Sequence, residues 1–183
     1  STGSRASTTA TNIALSGAGN VYISNTGTLT VSDGATTSSS STVNLVTASN
    51  ENITVNSFDA ASAQASNLLV NAGSGTVTFT DNKAVNVAGL TITADSLALG
   101  TTSNKVTATG AVAIKQSTSS RAINLGTGTG GLDISAAELG SIKAGASSLT
   151  IGTSTSSGAI TVSGEDVTSK NALTLQGSSV TLT

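Results

Sequence analysis

An all-β fold wound as a solenoid is what this 183-residue sequence predicts, and three observations predict it. Apolar and polar residues alternate in many runs of only four residues, the period of a strand with one buried face. Gly, Ser, Asn and Asp, which tolerate tight turns and positive φ, separate the runs. Comparable runs return after about twenty residues, the spacing of one coil in a stacked repeat.

Along the chain the runs are NVYI (20–23), TLTV (28–31), TVNL (42–45), NITV (52–55), NLLV (67–70), TVTF (76–79), AVNV (84–87) and GLTI (89–92). They continue as SLAL (96–99), AVAI (111–114), AINL (122–125), GLDI (131–134), SLTI (148–151), AITV (159–162), ALTL (172–175) and SVTL (179–182). Strands so short and so numerous do not suit a sandwich or barrel, whose strands run about five to six residues or more. In a solenoid each coil contributes two or three of them. Leu68, Leu90, Val112 and Leu132 stand 22, 22 and 20 residues apart, and Val77 and Leu97 stand 20 apart. Leu149 follows Leu132 by 17 and Leu173 follows Leu149 by 24, so the repeat is imperfect. Coils of roughly 20–22 residues imply about eight or nine coils and, at ~4.8 Å per coil, a rod of about 40 Å. Residues 1–11 are expected to form a loose N-terminal end or a continuation from an upstream coil. Residues 12–183 are expected to form a single solenoid segment of a larger repeat protein.

Two stretches leave the alternation and predict one or two short helical turns at corners. SFDAASAQAS (57–66) is dominated by Ala, with Asp59 placed to cap a helical excursion. In SAAEL (135–139), Ser135 and Glu138 have the S-x-x-E spacing of a capping box, so one helical turn is expected to close a corner there. The serine run TTSSSS (36–41) reads as a surface loop. Asn in TVNL, AVNV and AINL lies between two inward apolar residues and is expected to point outward into short polar ladders between coils.

The composition suits a narrow solenoid interior and excludes several chemistries. Tyr22, Phe58 and Phe79 are the only aromatic residues, and charged residues are 9% against about 25% in ordinary domains. A net charge of −2 with recurring β-branched groups argues for a folded chain, since disordered chains usually carry high net charge or much Pro. With no His and no Cys, zinc, haem and iron–sulfur sites and Ser–His or Cys–His catalysis lack their residues. The seven Lys and Arg never cluster, so no nucleic-acid partner is expected. No apolar run approaches the ~20 residues of a membrane span. No cofactor and no enzymatic activity are expected.

Several motifs need weighing against that background. Gly126-Thr-Gly128-Thr-Gly130-Gly131 is a literal GxGxxG after a strand-like run. A dinucleotide site needs the last glycine to open an amphipathic helix and an acidic residue about twenty positions on. Here Gly131 leads into another strand and position 151 is Ile, so the glycines are expected to turn the chain at a corner. GGLDIS is a single partial copy of the Gly-Gly-x-Gly-x-Asp calcium repeat. Asp133, Glu138, Arg121 and Lys143 could meet on adjacent coils as in a polysaccharide-cleaving β-helix, but so few charges read better as ion pairs or solvated corners. Glu165-Asp166 reads as a polar corner. Thr-x-Thr occurs at 28/30, 76/78/80, 91/93, 107/109 and 181/183, and stacked rows of this kind can order water and bind ice. The intervals between the first four motifs (48, 15 and 16) do not match one coil, so these motifs are not expected to share a face.

The run SSRAINLGTGTGGLDISAAELGSIKAGASSLTIGTSTSSGAITVSG (119–164) resembles a recurring block of filamentous-haemagglutinin-like, β-strand-repeat bacterial exoproteins, exported by two-partner or autotransporter routes. The resemblance rests on Arg121 before Ile123-Asn-Leu-Gly126, then LDISAAELGSI, LTIG and SGAITV, and the close match covers about a quarter of the chain. Where that block often has Pro after the Arg, this chain has Ala122. The resemblance implies a right-handed parallel β-helix, secreted or surface-held, serving adhesion, biofilm or filament formation without catalytic residues. Its implied partners are sister rods packed end to end or laterally, adjoining coils of a longer chain, and surface glycans or host cell surfaces. The alternatives are a carbohydrate-active β-helix enzyme and an ice- or glycan-binding solenoid.

Overall fold

The computed structural model describes residues 5–8, 12–13, 19–32, 35–37, 41–48, 50–60, 66–164 and 172–183. These form parallel sheets wound as a β-solenoid of about 6 turns. Every run predicted as a strand from its alternation contains one. In most of them the inward residues are buried and the outward ones partly exposed, in the same period-2 pattern.

Three faces enclose the core. The first face stacks Arg5–Thr8, Val21–Asn25, Thr42–Thr47, the first halves of Asn67–Phe79 and Gly89–Ala98, then Ala111–Lys115, Ser148–Gly152 and Leu173–Gln176. The second begins with Asn12–Ile13, Leu29–Val31, Ile53–Val55 and the second halves of the two long strands. The third stacks Ala35–Thr37, Phe58–Ala60, Val85–Val87 and Val106–Ala108. Backbone N–H and C=O groups are satisfied between coils, so each coil templates the next. Val, Leu and Ile fill the interior, and Phe58 and Phe79 are buried at 0% and 1% exposure.

The coil count is below the eight or nine expected because coils are longer than the sequence spacing suggested. Along the first face Val21 pairs with Val43, Val43 with Leu68, Leu68 with Leu90 and Leu90 with Val112. Each of these steps lies at or above the upper end of the expected spacing. The next step, from Val112 to Leu149, is far longer than any of them. Leu132, counted from sequence as the successor of Val112, pairs instead with Ile123 in another sheet. One coil therefore absorbs a large insertion, and the short apparent step from Leu132 to Leu149 is not a coil.

Asp59 does not cap a helix: it lies in the strand Phe58–Ala60 and accepts from Asn86 Nδ2 at 3.3 Å. Residues 61–65 of that predicted excursion lie outside the described residues. Of the run at 36–41, Thr36 and Thr37 belong to a strand and Ser41 is buried at 1% exposure. Two of the outward Asn form polar pairs with the adjacent strand: Asn86 meets Asp59, and Asn124 Nδ2 donates to Asp133 Oδ1 at 2.7 Å, so in both the amide pairs with a carboxylate.

Corners are held by acceptors that reach one coil onward. Asn20 Oδ1 accepts from the N–H of Thr42, Asn52 Oδ1 from Thr76, Asp81 Oδ1 from Thr101 and Thr102, and Asp95 Oδ1 from Ser117 and Thr118, all at 2.8–3.0 Å. They satisfy N–H groups at a strand start (Thr42), within a long strand (Thr76) and in turns (Thr101, Thr102, Ser117, Thr118). Asn50, Asn82 and Asn104 take φ of 55–58°, a region Asn tolerates better than most residues.

Candidate functional site

The strongest sequence signal, residues 116–142, is where the winding departs from simple stacking. After Ala111–Lys115 the chain reaches the second face and lays down Ile123–Gly126, which pairs on one side with Ile160–Ser163 of the following coil. It then doubles back and inserts Leu132–Ile134 on the other side, against the preceding coils. The resulting four-stranded sheet runs Leu132–Ile134, Ile123–Gly126, Ile160–Ser163, Val180–Leu182. The helix Ala136–Ser141 follows, and Ile142 bridges to Val106 on the third face.

Strands Ile123–Gly126 and Leu132–Ile134 are parallel yet joined by residues 127–131 alone. A parallel connection ordinarily takes about a dozen residues or more. So short a return must cross the outer surface of its own strand, and the glycines make that crossing possible. A Cβ on Gly128 would lie 2.5 Å from the Asn124 side chain, and one on Gly131 would lie 2.4 Å from the Ala122 carbonyl oxygen. Gly126 and Gly130 have φ of +95° and +94°. The GxGxxG pattern is thus a backbone-on-backbone crossing within one face, where the sequence suggested a corner.

The charged residues that could have met for catalysis all lie on or beside this insertion, and three of them hold backbone. Arg121 Nη2 donates to the Gly131 carbonyl at 2.9 Å. The Asp133 carboxylate accepts from Asn124 Nδ2 and from the N–H groups of Gly130 and Gly131, both at 3.1 Å. A carboxylate ringed by donors is arranged for a turn, not for a cation. Ser135 and Glu138 form the predicted capping box: Ser135 Oγ accepts from the Glu138 N–H, and Glu138 Oε2 accepts from the Ser135 N–H at 3.0 Å. Glu138 Oε1 also accepts from the Leu99 N–H at 3.0 Å, tying the insertion to the preceding coil. Lys143 is exposed. Glu165 and Asp166 lie outside the described residues.

A second polar cluster had no sequence signal. Lys105 is buried, its Nζ donating to the carbonyls of Phe79 and Thr80 at 2.8 and 2.9 Å and standing 3.6 Å from Asp81 Oδ1. Burial lowers its pKa, opposed by the charges of Asp81 and Glu138. The N–H of Thr102, followed by the Thr102 hydroxyl and the donors of Thr101, lowers the Asp81 pKa from 3.8 to about 2 against some desolvation. These partners lie on different coils, a separation no local motif encodes. Gln116 and Ser156, also buried, are hydrogen-bonded across a still longer stretch of chain.

The outer surfaces overturn one expectation. Leu29 pairs with Ile53 and Ile53 with Val77, two equal steps. The interval between the Thr-x-Thr motifs at 28 and 76 is therefore two whole coils, and Thr30, Thr54 and Thr78 stack in register on the second face. The motif at 91/93 lies on the first face and Thr107 on the third. A groove of about 550 Å³ on the first face, where Gly89 and Ala111 stand beside Asn67, Leu69 and Thr91, is lined by neither a charged residue nor a ring.

Among the described residues no helix is long and apolar enough to cross a membrane, and no three acidic residues gather into a metal-binding group. Fold and surfaces together define a parallel β-solenoid in which Arg121, Asp133, Glu138, Asp81, Asp95 and Lys105 hold backbone groups of the winding. No family model, curated protein or solved structure matches the chain.

Proposed function

We propose that this chain is a structural rod or filament segment of a secreted bacterial cell-surface adhesin, supporting adhesion, biofilm or extracellular fibre formation, and that it is not an enzyme. The observation that carries this reading is how the charged residues of the insertion are used: Arg121, Asp133 and Glu138 are all spent on backbone groups that hold the winding together. A rod needs that arrangement, whereas hydrolysis or elimination needs carboxylates with a free side towards substrate. The resemblance of residues 119–164 to exoprotein repeats supports the same reading.

The partners proposed are adjoining coils or sister rods. The parallel stacking of coil on coil supports this, since the main-chain groups of each coil are satisfied by its neighbours. Electron microscopy of the native material tests the proposal. Rods or fibres of coil-stacked density are expected; compact globular particles would overturn it, as would release of unsaturated sugars from an acidic polysaccharide.

A further inference from the structure

We propose that the second face of the early coils is an ice-binding surface. It carries three consecutive outward rows: Thr28, Thr30, Ser32; Asn52, Thr54, Asn56; and Thr76, Thr78, Thr80. Register is held across all three, because Leu29, Ile53 and Val77 pair in sequence, as do Val31, Val55 and Phe79. None of these outward residues is charged, and each is at least partly exposed.

Parallel pairing makes the array a two-dimensional lattice, with rows about 4.8 Å apart and outward positions about 6.6 Å apart along each row. Oxygen rows of comparable pitch run through the exposed planes of hexagonal ice, so the hydroxyls can substitute for lattice waters as donors and acceptors at once. The flanking columns are fixed internally: Asn52 Oδ1 accepts from the Thr76 N–H at 2.8 Å and Asn56 Oδ1 from the Thr80 hydroxyl at 2.9 Å. Among the described residues nothing hydrogen-bonds the hydroxyls of the central column, Thr30, Thr54 and Thr78, which leaves them to water. Buried Leu29, Val31, Ile53, Val55, Val77 and Phe79 form the floor directly beneath and keep the lattice rigid. The array ends at the next coil, where Ser96, Ala98 and Gly100 occupy the same positions.

This inference does not depend on the adhesin reading, since ice binding requires only the face. Its test is ice-crystal morphology and the freezing–melting gap measured on the full chain. The wild type should facet growing crystals and open a gap. The triple variant Thr30→Lys, Thr54→Lys, Thr78→Lys should abolish both, while Thr91→Lys with Thr150→Lys on the first face should leave both intact. Circular dichroism confirms that each variant keeps its β-structure. The proposal is overturned if the wild type shapes ice no more than albumin at equal concentration, or if the first-face variant loses activity equally. It is also overturned if the triple variant, with ice activity unchanged, only dissociates a dimer in sedimentation.

Discussion

Leu132 pairs with Ile123 on the side away from the following coil, although it comes later in the chain, so at this level the order of strands in space is the reverse of their order in sequence. The reversal depends on a short connection that passes over its own strand. Gly131 is the tightest point, its missing Cβ facing the Ala122 oxygen that accepts the Leu132 N–H at 2.8 Å. Gly131→Ala is therefore expected to destabilise by about 1–3 kcal/mol, the usual cost of overpacking. Gly140, in the helix and with open space around its Cα, gives the contrast: Gly140→Ala should stabilise by about 1 kcal/mol through helix propensity. Chemical denaturation of the two variants checks the pair, and equal effects would sink the crossing argument.

The capping box has a second duty that separates its two members. Ser135→Ala removes the cap bond from the Glu138 N–H together with the hydroxyl's bond to Glu138 Oε2, and should cost about 1 kcal/mol. Glu138→Ala removes its half of the box and also leaves the Leu99 N–H, on the preceding coil, without its acceptor. An orphaned buried donor costs about 1–3 kcal/mol on its own, so Glu138→Ala should be clearly the worse of the two. Amide exchange at Leu99 is the sharper readout: it should quicken in Glu138→Ala and stay slow in Ser135→Ala.

Sequence legibility follows how local each determinant is. The first and second faces are readable because strands such as those holding Val43 and Leu45, or Ile160 and Val162, bury two apolar residues each within one short run. Much of the third face is not. Ala35–Thr37, Phe58–Ala60 and Val106–Ala108 are very short and hold few large apolar groups, so their alternation is indistinguishable from loop. Ser135 and Glu138 are legible because a capping box is a local device. Lys105 and Asp95 are not, because their partners lie on another coil. The alignment of Thr30, Thr54 and Thr78 escapes the sequence for a related reason: the coils that carry them are longer than the spacing inferred from the later repeats.

Acid should act through Asp81. Its folded pKa of about 2 lies below the ordinary 3.8, chiefly through the Thr102 N–H, so the folded state binds fewer protons than the unfolded one in that window. Its contribution is present above pH 3.8 and is lost as pH falls towards 2. The melting temperature of the wild type should accordingly drop more steeply across that window than that of Asp81→Asn. Parallel curves for the two proteins would show that the carboxylate is not linked to folding.

Lys105 poses a question of sign. Burying an ammonium is costly, and replacing buried charge by an apolar residue is sometimes stabilising. Against that, Nζ is the donor for two backbone carbonyls, Phe79 and Thr80, at the corner between the second and third faces. Lys105→Met keeps the aliphatic stem and removes both hydrogen bonds, and orphaned buried acceptors cost about 1–3 kcal/mol. The Asp81 charge at 3.6 Å, itself 42% exposed, offsets only part of the ammonium's desolvation, as the lowered Lys105 pKa records. The variant is expected to be destabilised by about 1–3 kcal/mol, because lost backbone satisfaction outweighs relieved desolvation. The pH dependence gives an independent check. A folded pKa below 10.5 means that the unfolded state binds more protons as pH approaches 10.5, so wild-type stability rises there relative to Lys105→Met. The gap between the two proteins should widen with alkalinity; a gap that closes would show that the fold favours the charged form, and a variant more stable at neutral pH would show that the buried charge is tolerated rather than used.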